Sequence, residues 1–379
     1  MTWERYAEGL AARISYQESD WWTPICVTPR HTMVERWFTP GGGGWEVVDG
    51  SSDEETWMKT AYADATLVTK VGPVHADHAE AGQVYTGHPT SSSTLPSLVL
   101  TMLRHGRVHP GVRLLDVATG SGYSAALACA RLGDQAVTTL DIDPYLTQAA
   151  AGRLDRIGRH PSIITADADA EKELPGAFDR IVSMVSMPRI PASWLRALAP
   201  GGQLVTTIAN TSLIITADKT DDGGARGRVE WDRVSFMRTR AGEDYPPALN
   251  DLFAKAQDQD GEEIDRSPYP VMDVMRSPEV WSMLSLEAPG IEHRIGVGED
   301  GGLMAWMLHA DGSWARAHTS KEDRVTTVHQ GGPRRLYDLL DWIRQWWVNH
   351  GDLPVYGAEV TISPDGKTTL SRAGWTVTL

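Results

Sequence analysis

The sequence predicts an α/β protein with a doubly wound, mostly parallel sheet, followed by a small α+β accessory unit. Apolar strand-like runs alternate with helical stretches between about residues 112 and 208, the spacing of a parallel sheet wrapped by helices. Within that stretch a strand, a small-residue turn, an Ala-rich helix and a second strand ending in Asp141 form one βαβ unit. Beyond residue 250 the pattern changes to hairpins around a single long helix.

Taken in chain order, residues 3–16 carry apolar or aromatic side chains at 3, 6, 7, 10 and 14, the stripe of an amphipathic helix. Gly41 to Gly44 break the chain, and 51–56 reads as a loop or helix start, so 1–60 is expected to be a helical and loop region. A short extended region from Tyr62 leads to Thr90-Ser-Ser-Ser-Thr-Leu-Pro96, a hydroxyl-rich loop opening a helix over about 96–104. The strand at 112–117, the turn at 118–122, the helix at 123–132 and the strand at 136–140 come next. Strands follow near 162–165, 178–184 and 203–208, with a helix at 192–198 before the turn Ala199-Pro-Gly-Gly202. Segments 213–217 and 229–237 read as a terminal hairpin that closes a domain of 61–240. Pro246 and Pro247 mark a linker over 242–250. In the accessory unit, 251–379, hairpins centre on Asp311-Gly312 and Pro364-Asp-Gly366, and a helix spans 334–350 between Pro333 and Gly351.

The turn carries the chemistry. Its glycines let backbone approach a ligand closely, and the helix that follows presents free N–H groups. A carboxylate at the end of the second strand, Asp141, can grip a ribose hydroxyl pair. Together they indicate a cofactor that contains a nucleoside. A dinucleotide fingerprint needs Gly-x-Gly-x-x-Gly, whereas this chain has Ala118-Thr-Gly-Ser-Gly122 with Asp116 just before it. An acid there repels a pyrophosphate but suits the amino group of S-adenosylmethionine. The expected cofactor set is Asp116 with Ala118, Thr119, Gly120, Ser121, Gly122 and Tyr123 around the methionine part, and Asp141 with Ile142 at the ribose.

Composition bounds the alternatives. A net charge of −15 argues against nucleic-acid partners, because neutralising phosphates takes a basic surface. No run of about eighteen apolar residues suits a membrane span. The first residues lack the apolar core of a secretory signal, and Cys26 and Cys129 are too few for a disulfide framework, so a cytoplasmic protein is expected. His75, His78 and His88 are too loosely spaced for a metal site and read as surface histidines. Of fifteen tryptophans, Trp194 alone falls between Trp57 and Trp231, so the flanks hold the aromatic anchors. Those anchors suit either peptide recognition or core packing.

Several segments together resemble the protein-L-isoaspartate O-methyltransferases. Leu114-Leu-Asp-Val-Ala-Thr-Gly-Ser-Gly-Tyr123 looks like that family's Val-Leu-Glu-Ile-Gly-Thr-Gly-Ser-Gly-Tyr turn. Val27-Thr-Pro-Arg-His31 resembles its Val-Pro-Arg-His/Glu motif with a threonine inserted, and Ala61-Tyr-Ala-Asp64 its Tyr-x-Asp segment. Ala177-Phe-Asp-Arg-Ile-Val182 and Leu198-Ala-Pro-Gly-Gly-Gln-Leu-Val205 are similar to its later strands. The resemblance covers roughly 20–240 and implies a Rossmann-like class I methyltransferase fold. It also implies that Asp167 reaches the adenine, with Asp169 as the competing candidate.

Aligning on Pro96 places Thr94-Leu95-Pro96 where the family has Ser-Gln-Pro or Ser-Ala-Pro, whose serine hydroxyl stands beside the accepting carboxylate. Thr94 and Ser93 are therefore the expected catalytic pair, with a helix N-cap as their other possible role. The hydroxyl-rich loop and the long tail, which has no counterpart expected in repair enzymes, resemble a subset acting on ribosomally made modified peptides such as lanthipeptides and graspetides. That subset esterifies an aspartate of a modified precursor peptide, leading to aspartimide or isoaspartate. General isoaspartyl repair and a non-catalytic peptide-binding role are the alternatives. The tail is expected to pack beside the hydroxyl loop and to expose Trp306, Trp314 and Trp346 to a peptide.

Overall fold

The computed structural model describes residues 2–169, 173–239, 248–321 and 325–379. The linker expected at 242–250 falls mostly outside them. Helices α1 (Trp3–Ile14) and α2 (Trp22–Val27) precede a hairpin of β1 (Arg36–Gly41) and β2 (Gly44–Asp49). The four glycines are that hairpin's turn and not a break: Gly42 and Gly43 have φ of 58° and 83°, the left-handed values that suit a tight turn between twisted strands. After α3 (Glu54–Ala61) come β3 (Leu67–Val71), β4 (Val74–His75), β5 (Val84–Tyr85) and β6 (Pro89–Ser93). All six strands join in one antiparallel sheet, in the order β4-β3-β1-β2-β5 with β6 also on β3. The expected boundary at 60/61 therefore cuts through a single sheet. The hydroxyl segment, expected as a loop, is strand β6.

Next in the chain are α4 (Pro96–His105), β7 (Leu114–Val117), α5 (Tyr123–Leu132), β8 (Val137–Asp141), α6 (Pro144–Arg156) and β9 (Ser162–Thr165). Then come β10 (Phe178–Met187), α7 (Ala192–Ala197), β11 (Leu198–Ile208), β12 (Leu213–Lys219) and β13 (Ala225–Arg233). Every residue of β7 is buried, as expected for a central strand covered on both faces. Helix α5 is buried from Tyr123 to Cys129, which its alanines permit by letting it lie close to the sheet.

The last part of the chain holds α8 (Asn250–Asp258), β14 (Glu263–Ser267), α9 (Pro278–Glu287), β15 (Glu292–Val297), β16 (Leu303–Leu308), β17 (Trp314–Thr319) and β18 (Thr326–Gly331). After α10 (Leu336–His350) come β19 (Glu359–Ile362), β20 (Thr368–Arg372) and β21 (Trp375–Thr378). Strands β14–β18 make a separate five-stranded sheet, but β19, β20 and β21 return to the main one. The main sheet runs β21-β20-β19-β13-β12-β11-β10-β7-β8-β9. Its pairs from β11 to β9 are parallel and those from β11 to β21 antiparallel, so the expectation of a mostly parallel sheet holds for only half of it. The accessory unit is accordingly an insertion between β13 and β19, not a free-standing 251–379 domain. Trp306 and Trp314, expected at the surface, are 8% and 5% exposed in its core. The exposed tryptophans are Trp231, Trp342 and Trp347.

Candidate active site

A cleft opens at the carboxyl ends of the parallel strands, where open α/β sheets bind ligands. Its floor is the turn from β7 to α5. Ala118 has φ of 73° and Gly120 and Gly122 have 51° and 90°. Such values are free for glycine but cost an alanine about 1–2 kcal/mol, so Ala118 holds strain at the ligand-facing turn. A Cβ on Gly120 would come within 3.3 Å of the Ser92 carbonyl oxygen, so the turn and β6 close on each other there.

Of the expected cofactor residues, Ala118, Thr119, Gly120, Ser121, Tyr123, Asp141, Ile142 and Asp167 line the cleft. Asp141 is 8% exposed. Its Oδ2 accepts from the Gly120 N–H at 2.9 Å and its Oδ1 from the Asp143 N–H at 3.1 Å, which fixes the carboxylate against the turn. Asp167 lines the cleft and Asp169 does not; Asp169 instead faces Arg189 at 3.5 Å. Asp116 and Gly122 do not line it either, contrary to expectation. Gly122 packs toward Ala150 of α6. Asp116 is fully buried beneath the turn, where Oδ2 accepts from the Ser124 hydroxyl at 2.8 Å and the Thr139 hydroxyl at 2.9 Å. Its Oδ1 has no partner, and burial pushes this carboxyl up to about 7.

The opposite wall is β6. Thr90, Ser91, Ser92 and Thr94 line the cleft, but Ser93 faces away from it. The Ser93 hydroxyl is buried, accepting from the Ser121 hydroxyl at 3.1 Å and lying 3.5 Å from an Arg30 guanidinium nitrogen. The N-cap position of α4 falls on Leu95, with no side-chain cap of its own. The helix start is satisfied from outside, by Asp64 Oδ1 accepting from the Ser97 N–H at 2.9 Å and by Thr66 Oγ1 accepting from the Leu95 N–H at 3.2 Å.

Arg30 holds this wall together, and sequence reasoning gave it no role beyond a motif match. Fully buried, it donates to the carbonyls of Ala61, Ala63 and Ala65 at 2.6, 3.1 and 3.0 Å. It also donates to those of Ser93 and Thr94 at 3.3 and 3.2 Å. Its guanidinium lies 5.4 Å from the centre of the Tyr123 ring, and burial pulls its pKa down to about 10. Another pin links the two walls: Lys70 of β3, paired with Ser91 of β6, sits 2.6 Å from Asp143, the N-cap of α6. The histidines of the same region pack on an aromatic ring, His75 and His78 at 5.0 and 4.6 Å from Tyr145.

Sequence reasoning also missed Met184 and Val185 and the segment 236–239, all of which line the cleft. Strand β13 ends at Arg233, and the chain then crosses to the end of β10 instead of continuing as a strand to 237. There Ser186 N–H donates to the Met237 carbonyl at 2.8 Å, Thr239 N–H to the Ser186 carbonyl at 2.9 Å, and the Ser186 hydroxyl to the Phe236 carbonyl at 3.1 Å. None of the described residues beyond 239 lines the cleft, so the accessory unit does not enclose the hydroxyl strand as expected.

Residues 54–239 match the family model described as Protein-L-isoaspartate(D-aspartate) O-methyltransferase (PCMT). The protein-L-isoaspartate O-methyltransferase of Rhodopseudomonas palustris (strain BisB5) is 30% identical over 156 residues, covering 40% of this chain and 71% of that protein. The enzyme of the same name from Thermococcus onnurineus (strain NA1) is 32% identical over 120 residues, 31% of this chain and 54% of that protein. The chain thus spans about half the length of this second relative. A solved structure named protein-L-isoaspartate O-methyltransferase aligns over 98% of this chain and 100% of its own, with a TM-score of 0.52 and 15% identity. That alignment carries the fold through the tail, which therefore does have a structural counterpart, against expectation. With its turn, its Asp141 and its hydroxyl wall in one cleft, this chain belongs to the protein-L-isoaspartate O-methyltransferase family.

Proposed function

We propose that this chain binds S-adenosylmethionine and methylates an isoaspartyl carboxylate of a polypeptide. The observation that carries the reading is the cleft itself, in which the turn and Asp141 face Thr94 and Ser92 across one space. The residues fit the cofactor. The positive-φ turn lets a ligand approach backbone N–H groups, and of the two carboxylates lining the cleft we assign Asp141 to the ribose and Asp167 to the adenine. The buried, unpartnered Tyr123 hydroxyl is a further polar group on the cleft lining.

When bound, the cofactor supplies a sulfonium methyl group, whose transfer to a carboxylate oxygen leaves a methyl ester and a neutral thioether and moves no proton. A carboxylate of pKa near 4 is already ionised at neutral pH, so the protein needs no general base. Its task is to orient the acceptor and exclude water, for which effective concentrations are worth on the order of 7–11 kcal/mol in ideal cases. Thr94 is the side chain we assign to orienting the acceptor. Ser93, turned behind the wall, braces Ser121.

A dedicated substrate, one aspartate of a modified ribosomal precursor peptide, is a second reading. It is favoured by Leu95 beside Thr94 and by the run of hydroxyls along β6. The tail gives it no support, since no described residue beyond 239 reaches the cleft. The test is methyl transfer from labelled S-adenosylmethionine to matched peptides bearing isoaspartate or aspartate, with base-labile label as readout. Transfer to short linear isoaspartyl peptides supports the first reading. Absence of transfer to both, with binding of the cofactor retained, overturns it.

A further inference from the structure

Three charged side chains line the cleft among the described residues: Asp141, Asp167 and Arg238. Asp141 ends β8 and Asp167 follows β9, at one end. Arg238 stands at the other, where segment 236–239 crosses the end of β10. Its backbone is held on both sides by the bonds from Ser186 to Met237 and from Thr239 to Ser186, and Arg238 itself forms a bridge with Ser186. The Ser186 hydroxyl is in turn 2.7 Å from that of Thr207 on β11, so the segment is tied to two strands of the parallel half.

We infer, resting on the carboxyl-methylation reading, that Arg238 anchors the acceptor carboxylate and so selects an anionic acceptor. An anion entering this cleft meets two carboxylates, on a chain whose net charge is −15. A cation where the acceptor binds would offset them, and among the described lining residues that cation is Arg238, at the end away from Asp141 and Asp167. Guanidinium geometry suits a carboxylate, one oxygen of which can be held while the other faces the methyl donor. Arg238 already has a partner within the protein, so anchoring exchanges one partner for another. The arrangement has a directional consequence. Forming the oxygen–carbon bond removes the acceptor's negative charge, and the pair of the breaking carbon–sulfur bond stays on sulfur. Arg238 therefore attracts the reactant and not the neutral ester, which favours release of product.

The experiment uses full-length protein and its Arg238→Met and Arg238→Lys variants, with an isoaspartyl peptide and the matched neutral isoasparaginyl peptide. Binding is measured in the presence of S-adenosylhomocysteine, and turnover with S-adenosylmethionine. Wild type is expected to prefer the isoaspartyl peptide by about tenfold or more, and Arg238→Met to lose that preference with KM raised about tenfold and kcat little changed. Arg238→Lys should recover part of the loss, and affinity for S-adenosylmethionine should stay the same in all three. Preference retained in Arg238→Met overturns the proposal. So does a matching loss of cofactor affinity, which would place Arg238 on the cofactor's own carboxylate. Failure of the underlying reading looks different: wild type itself then methylates neither peptide and does not distinguish them.

Discussion

The two ends of the cleft are made by different means. At the end we assign to the nucleoside, the contact from Gly120 to Asp141 joins residues 21 apart within one βαβ unit. At the end we assign to the acceptor, the wall depends on Arg30, which reaches Ala61 across 31 residues and Thr94 across 64, and the crossing segment depends on Ser186 reaching Phe236 across 50. The first end is a local device that any chain with the same turn can build. The second exists only once the antiparallel sheet and the parallel half have docked. Cofactor binding and acceptor binding should therefore respond to separate substitutions, and to a shared one only where the two ends are physically tied.

Arg30→Met is the severest way to break that separation. It leaves five backbone carbonyls without their buried donor, and removing one member of such a buried network costs about 3–5 kcal/mol. Denaturant unfolding of the variant should register a loss of that size. A change of under about 1 kcal/mol would mean that the wall is held by its strands alone. Asp141→Ala acts at the other end. Calorimetry should show S-adenosylmethionine binding weakened by about 1.5–3 kcal/mol, roughly ten- to a hundredfold, while KM for the peptide barely moves.

Lys70→Met tests the tie. The Lys70–Asp143 pair is largely buried, with side chains 11% and 15% exposed, and Asp143 donates its N–H to Asp141. Its loss should cost about 1–2 kcal/mol of stability and weaken cofactor and peptide binding together, by a few-fold each. An effect on one ligand alone would show that the ends are independent after all. Thr94→Ala should have the smallest effect, lowering turnover about tenfold, near 1.4 kcal/mol, with cofactor affinity unchanged. Wild-type turnover in that variant would remove Thr94 from the site.

The same contrast explains what could be read in advance. The turn, the helix after β7, and Asp141 and Asp167 as residues that line the cleft were legible because strand, turn and helix signals lie side by side in the chain. Asp116 was placed at the right point of the sequence but the wrong depth. An acid before the turn points either into the cleft or beneath it, and the hydroxyls of Ser124 and Thr139 decide for beneath. Ser93 is set by its pairing with Leu67 of β3, and the cap on α4 comes from Asp64, 33 residues before Ser97. Neither leaves a local mark. Segment 236–239 reads as the end of a strand, because nothing in Phe236-Met-Arg-Thr239 announces that the chain changes partner. Trp306 and Trp314 illustrate how weakly a tryptophan's position reports its exposure, since each supplies apolar area that a small sheet needs for its core.

The return of the last strands has a consequence for how the protein is made. Strand β13 pairs with β19 through Ala225 and Ile362, and Leu379 and Thr368 exchange backbone bonds. A ribosome releases the segment through β13 long before the one that covers its edge. Until β19 emerges, β13 presents an unpaired edge, open to pairing with another nascent chain. Substitutions that break the pairing of β19 with β13 should therefore act on yield and aggregation during synthesis before they act on the cleft.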